Sequence, residues 1–462
     1  MAIVASILVA RMMRPEELGV FTVVMSVSVV LNTLQAAGAS EILLYSAEVN
    51  HELKRRVLGL TLCTTAVVCG ILVLGRPFWI KTFGTPGAAD VADIIAIQTA
   101  LAVFTVPVLA MWRREEAFDK ISLVNIAGGA TLSALQVLFV FAGYSFMGLA
   151  YAALAATFVT LVLTSTFGWT HLVWIPSFRG LGKIASYGGK LFGANALGVI
   201  YTQSTSAIIG ALGGVSQSAL FGRAYMTAQI YGQTIGRAID PILNARLASH
   251  RRSGIDGNPT LFLFSRHLLT ISTMFFGFIA ICADLIVPLI FGQQWVPAVP
   301  AMQILTAGLV LTPLTSPTVA VLLAANRPGM LVQIRSINVL LRIAALVVLV
   351  PYGLTAVAWG MVATAYCNWA QSVRAAYKVA GLSVRQYLLV LFPSFMAGLV
   401  PVCLSLAARF GLSEIGIEAW ALLVATGAIM TFLSLASLVL SKHPLWGEFA
   451  TIRERITDRP SI

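Results

Sequence analysis

Five polar residues recur at helical spacing inside an otherwise apolar stretch. They are Tyr225, Gln229, Gln233, Arg237 and Asp240, separated by 4, 4, 4 and 3 positions. That spacing puts them on one face of a helix. Such a row could line a water-filled cavity whose cations meet an anionic headgroup, since a guanidinium can hold a phosphate through two oxygens at once, or it could pack against neighbouring helices. Arg223 lies near one end of the same stretch. Arg237 and Asp240, three apart, could also pair with each other, which would make them structural. Asn195, Gln203, Ser204 and Ser206 add polar groups to the preceding apolar stretch, and Asn32 and Gln35 to an early one. Together these residues are candidates to line a cavity. Asp240, and Asp284 in a later stretch, are candidates for coupling to protons or sodium. Arg342 could face the same cavity or snorkel to the inner surface.

Covalent chemistry finds little to stand on. The sequence has no GxxxxGK[ST] loop, no HExxH, no GxSxG and no DxD pair for a metal–sugar nucleotide. His51, His171, His250, His267 and His443 are scattered. Cys63, Cys69, Cys282, Cys367 and Cys403 lie in apolar stretches without metal-ligand spacing and read as small buried hydrophobes. No metal or cofactor is expected, and transport is favoured over catalysis.

The elements that must carry the polar row sit in lipid. Of 462 residues, 58% are hydrophobic and 10% charged, and mean hydropathy is +0.88. So few charges could not cover a soluble protein, where about 25% is usual. The net charge of +12 comes from basic residues in short loops. No basic block interleaved with aromatics marks a nucleic-acid channel, so nucleic acid is excluded as a partner and the bilayer is the expected environment.

A spanning helix needs roughly 20 mostly apolar residues. Candidates occupy 18–37, 57–74, 91–111, 123–141 and 146–165, then 191–212, 220–243, 267–291, 302–325, 330–350 and 354–376, and finally 388–407 and 419–440. Residues 2–10 are apolar but too short to span, and Arg11 follows at once. They read as the second half of a helix whose first half lies upstream. With it the count is about fourteen. If that helix starts in the cytoplasm, 22 of the 30 Lys and Arg fall in inner loops and the tail, and five in outer loops. Enrichment of cytoplasmic loops in these residues predicts this topology, with both termini cytoplasmic.

The chain repeats weakly at roughly 200-residue spacing. ILVAR at 7–11 and PEELG at 15–19 answer to IIGAL at 208–212 and SQSAL at 216–220. Arg56, Pro77 and Phe83-Gly84 answer to Arg266, Pro288 and Phe291-Gly292. The expected fold is all-α: a polytopic membrane helix bundle of two six-helix lobes related by a parallel repeat, plus a C-terminal helix pair. The lobes would take 1–165 and 191–380, joined by an inner loop at 166–190, followed by the pair at 386–440 and a cytoplasmic tail at 441–462. In the joining loop, Trp174, Phe178 and Tyr187 with Arg179 and Lys183 suit a segment in the headgroup region, or a solvated linker. Pro107, Pro241, Pro313, Pro317, Pro393 and Pro401 interrupt spans and invite kinks.

Several ordered motifs carry a family resemblance. LVARMMRPEELGVF at 8–21, WRREEAF at 112–118, FGRAY at 221–225, FGQQWVPAVP at 291–300 running into Ile304-Leu305, and AANRP at 324–328 resemble the polysaccharide transporters. These are the O-antigen and exopolysaccharide flippases of the multidrug/oligosaccharidyl-lipid/polysaccharide exporter superfamily. The resemblance implies two lobes in a V around a cavity lined by the first, second, seventh and eighth helices. It implies a polyprenyl-diphosphate-linked oligosaccharide as substrate, flipped across the bacterial inner membrane, with a polysaccharide polymerase and export machinery as partners. Two alternatives stay open: a cation-coupled small-molecule exporter of the same superfamily, and a membrane glycan polymerase or ligase.

Overall fold

Backbone amides cannot be left unbonded in hydrocarbon, so apolar stretches of this length close their hydrogen bonds within themselves as helices. The computed structural model describes residues 2–36, 42–44, 46, 48–173, 175–325, 327–381 and 384–446. Every regular element among them is helical. Eight helices are long and apolar enough to cross a membrane, and two further helix pairs pass that test together, each bent at a short break. The stretches expected at 191–212, 220–243 and 354–376 are helical as well. They carry more polar residues than the apolar spans.

The chain divides into two compact units, Met1–Leu220 and Phe221–Ile462. The first holds α1 (Ala2–Met12), α2 (Pro15–Ala36), α3 (His51–Leu74), α4 (Arg76–Phe83), α5 (Gly87–Ala102), α6 (Thr105–Arg114), α7 (Phe118–Phe141), α8 (Ser145–Phe167) and α9 (Leu181–Gly213). Val23, Val24, Leu72, Trp79 and Ile95 form part of its main core, and the Trp79 indole N–H donates to the Leu72 carbonyl at 2.8 Å. A buried indole needs such a partner. The helix assigned by sequence order to the opening of the second lobe, α9, packs along α2 of the first unit. A Cβ at Gly210 would meet Val23 at 2.3 Å, so the close crossing of these helices requires glycine there.

The loop after α8 is tied to α3. The Arg55 Nε–H donates to the Ile175 carbonyl at 3.1 Å, and the Ser177 N–H donates to the Arg55 carbonyl at 2.9 Å. Phe178 is exposed. Trp174 and the side chains of Lys183 and Tyr187 lie outside the described residues.

The second unit begins within α10 (Val215–Tyr231). It continues through α11 (Arg237–Arg252), α12 (Asn258–Ile286), α13 (Val299–Gly308), α14 (Thr315–Ala324), α15 (Pro328–Leu349), α16 (Leu354–Ala380), α17 (Val384–Glu414) and α18 (Ala419–Leu440). The two units share one feature, a bent helix pair. The α5–α6 pair bends by 49°, and the pair formed by Gln293–Gly308 and Thr312–Ala324 bends by 42°. Pro107 lies just past the first break and Pro313 just past the second, where each removes a backbone donor. Pro393 and Pro401, by contrast, sit inside the unbroken α17.

α17 and α18 dock on α12. The Thr270 hydroxyl donates to the Ser394 carbonyl at 2.9 Å, and a Cβ at Gly398 would meet Thr273 at 2.7 Å. His443, just past α18 and only 2% exposed, closes this contact. The Leu445 N–H donates to its Nδ1 at 3.3 Å, which leaves the ring proton on Nε2 between Ser394 Oγ at 3.0 Å and Thr270 Oγ1 at 3.1 Å. Burial, with Arg266 and His267 adding positive charge, pushes its pKa down to about 4.

Candidate functional site

The polar row lies on the helix formed by α10 and α11, and its geometry departs from a plain α-helix. Residues Gly232–Gly236 form a π turn between the two. Gly232 and Gly236 bracket it, and Pro241 withdraws the N–H that would bind the Arg237 carbonyl. The turn has a consequence for alignment. In a regular helix, successive four-residue steps drift around the axis by roughly 40° each. A wider turn winds less per residue, so it offsets that drift and keeps Gln229, Gln233 and Arg237 closer to one line. All three are exposed. The other side of the helix is packed: Tyr231 is buried, its ring centroid lies 5.2 Å from that of Phe276, and its hydroxyl donates to the Leu268 carbonyl at 3.1 Å.

The ends of the row are tethered within the second unit. Tyr225 is half-buried and stacks on Phe221, with ring centroids 6.1 Å apart. On Tyr225 rests the Arg342 guanidinium of α15, 5.4 Å from the ring centroid. Arg342 is 2% exposed, so it neither snorkels to a surface nor stands open in a cavity. Asp240, at the other end, accepts a hydrogen bond from the Ser316 hydroxyl of α14. Among the described residues, the Arg237–Asp240 ion pair offered by the sequence is not formed. A hydroxyl on the adjacent helix satisfies the carboxylate without immobilising a long side chain, and Arg237 stays exposed.

Arg223 is placed apart from the exposed row. It is 8% exposed, with its guanidinium 5.4 Å from the Phe291 ring and 5.3 Å from the Trp295 ring. Aromatic faces attract the cation and replace part of its hydration. FGRAY and FGQQW, read in the sequence as separate motifs, therefore meet through this residue.

The remaining candidates divide between the units. Asn32 accepts a hydrogen bond from the Thr99 hydroxyl of α5 at 3.0 Å, so it joins two helices of the first unit. Gln203 is half-buried on α9. The side chains of Gln35 and Asn195 lie outside the described residues. Asp284, near the C-terminal end of α12, is paired with Arg409 of α17. No group of three or more metal-ligating side chains occurs among the described residues. Sequence reasoning missed the Arg342–Tyr225 stack and the Ser316–Asp240 bond. An intramembrane arginine was a visible signal for the first. Nothing in spacing alone pointed to the second.

A family model described as polysaccharide biosynthesis protein matches residues 8–300. The chain belongs to this family. Its backbone is similar to that of the lipid II flippase MurJ in an inward closed conformation, with a TM-score of 0.77, 12% identity and 96% of each chain covered. It is also similar to an inward-facing multidrug resistance MATE family transporter of the MOP superfamily. There the TM-score is 0.68 and the identity 16%, over 84% of this chain and 95% of that one. A MATE structure in a bent conformation aligns at TM-score 0.54 and 17% identity, over 85% of this chain and 92% of that one. No curated protein sequence matches the chain. The fold of this family member is thus that of MOP superfamily transporters, as its ordered motifs suggested.

Proposed function

We propose that the protein is a flippase that moves a polyprenyl-diphosphate-linked oligosaccharide across the bacterial inner membrane during surface polysaccharide assembly. Both termini would face the cytoplasm, and a polysaccharide polymerase and export machinery would take up the product. One observation carries the reading: an apolar chain of this family exposes Gln229, Gln233 and Arg237 in a row along one helix, next in sequence to the apolar helix Asn258–Phe291. Exposed amides and a guanidinium in hydrocarbon would each cost several kcal/mol, roughly 2.5–3.5 for an arginine at a span centre, so such a row implies a hydrated surface.

In this mechanism the two glutamines exchange hydrogen bonds with sugar hydroxyls, and Arg237 holds a diphosphate oxygen pair. The isoprenoid tail remains in lipid. Arg223 and Arg342 are positioning residues, held on aromatic faces, that add positive potential without leaving their stacks. Asp240 and Asp284 remain the candidates for ion coupling, each already bonded to a neighbour.

The test reconstitutes the purified full chain into vesicles with a lipid-linked oligosaccharide and follows the fraction accessible on each face. Arg237→Ala and the Gln229→Ala/Gln233→Ala double variant should slow exchange, with Arg237→Lys in between. Wild-type rates in both variants at equal reconstitution would sink the proposed binding row. Flipping that ignores the sugar but follows a proton or sodium gradient, and is lost in Asp240→Asn, would favour the small-molecule exporter.

A further inference from the structure

A large cavity of the second unit lies away from the polar row. About 820 Å³ in volume, it runs between α12, α13, α16 and α17. Its walls are mostly aliphatic and aromatic, including Leu311, Trp369, Phe392, Phe395 and Leu399. Along α12 it extends from Leu269 to Asp284. At the helical rise this is roughly 22 Å, against about 30 Å for a hydrocarbon core. The cleft arises because α17 packs along α12 and α18, leaving a wedge towards α16. Protein interiors leave few voids larger than a water molecule, so a space of this size within a bilayer is filled by chains from the bilayer.

Its polar end is specific. Arg409 and Asp284 line the cavity there, together with Gln303 and Ser413. The Arg409 guanidinium donates to the Ile281 carbonyl and to Asp284. A guanidinium carries five N–H donors, so further donors remain beyond these two bonds. The Asp284 side chain is 46% exposed and that of Arg409 16%. A cation and an anion thus stand side by side at the mouth of an apolar slot.

We propose that this cleft is a binding site for a zwitterionic glycerophospholipid, one with a phosphate and an ammonium group in its head. Its acyl chains lie between α12, α13, α16 and α17. The phosphate accepts hydrogen bonds from Arg409, and the ammonium reaches the exposed oxygen of Asp284. Gln303 and Ser413 are placed to bond the ester and glycerol oxygens. A lipid with only an anionic head would leave Asp284 without a positive partner from the ligand and set its phosphate near that carboxylate. The two charges therefore select against phosphatidylglycerol by like-charge proximity. The inference is independent of which substrate the transporter carries.

The test uses the purified full chain in vesicles of equal phosphatidylethanolamine and phosphatidylglycerol, re-extracted in mild detergent, with retained lipids counted by mass spectrometry. The wild type should retain phosphatidylethanolamine over phosphatidylglycerol by about fivefold or more. Asp284→Asn should bring the ratio close to one, and Arg409→Gln should cut total retained phospholipid severalfold. Ala307, exposed on the cavity wall, provides a variant that leaves the charges in place. Ala307→Phe should fill the slot and lose the lipid while the melting temperature shows a folded protein. Equal retention of the two phospholipids by the wild type would overturn the proposal. So would a polyisoprenoid in their place, or retention unchanged in Ala307→Phe.

Discussion

The second helix of the first unit and the opening helix of the second handle polarity in opposite ways. α2 is apolar enough to count as a span over Pro15–Thr33, with a mean hydropathy of 1.3. Among its described polar side chains, several are bonded inside the unit. Ser26 and Ser28 donate to the Val23 and Val24 carbonyls at 2.7 Å each, and Asn32 bonds Thr99. Even its first-turn acids are engaged, Glu17 accepting from the Ser145 hydroxyl at 2.9 Å. The α10–α11 helix instead leaves Gln229, Gln233 and Arg237 exposed, and a π turn holds them near one line. The second carries an exposed cation just past the π turn, with one amide before the turn and one within it.

Arg237→Ala against Asn32→Ala is the sharpest way to break that contrast. Hydrogen bonds to a charged group are worth about 1.5–3 kcal/mol, so Arg237→Ala should lower oligosaccharide flipping between about tenfold and a hundredfold. Asn32→Ala, which removes an internal bond, should change the rate less than about twofold and register mainly in melting temperature. Similar losses in both would erase the functional difference between the helices.

Acid provides the next largest effect, and it should fall on the second unit. Unfolded His443 takes a proton near its ordinary value of 6.5, whereas the folded residue stays neutral down to about 4. The unfolded state therefore binds more protons in that window, and stability falls as pH drops from 6.5 towards 4. Between pH 7 and 5 the loss from this residue is about 2 kcal/mol. Hydrogen exchange should speed in α17 and α18 before α7 and α8, and His443→Gln should flatten the pH dependence.

Smaller effects probe the tethers of the polar helix. Arg342→Met removes a cation from a buried stack and should cost about 1–2 kcal/mol in denaturant unfolding. Ser316→Ala removes one hydrogen bond to Asp240 and should cost about 1 kcal/mol, with Asp240→Asn costing less because an amide oxygen can still accept. If Ser316→Ala instead matched Arg237→Ala in its effect on flipping, Asp240 would belong with the transport row.

Much of the architecture was legible because lipid makes severe demands. Apolar stretches near 20 residues had to become helices, and Pro107 and Pro313 marked the regions where the two bent pairs break. The four-residue spacing from Tyr225 to Arg237 announced a polar face, since helical periodicity depends only on local geometry. The partner of each polar group was less legible. Arg237 with Asp240 satisfied every local rule for an ion pair, yet a serine 76 positions away bonds the carboxylate. Arg223 read as a ligand for substrate and is instead enclosed by two aromatic rings.

What the sequence alone determined was the environment, the helices and the face on which polar residues gather, because composition and short-range periodicity suffice for these. Tertiary structure decided which of those residues remain open. Packing between helices distant in the chain covers Arg223 with Phe291 and Trp295, sets Arg342 on Tyr225, and joins Asp284 to Arg409 beside the apolar slot. A side chain's desolvation and its partners depend on which helix comes to lie against it, and neighbouring residues in the sequence carry no record of that.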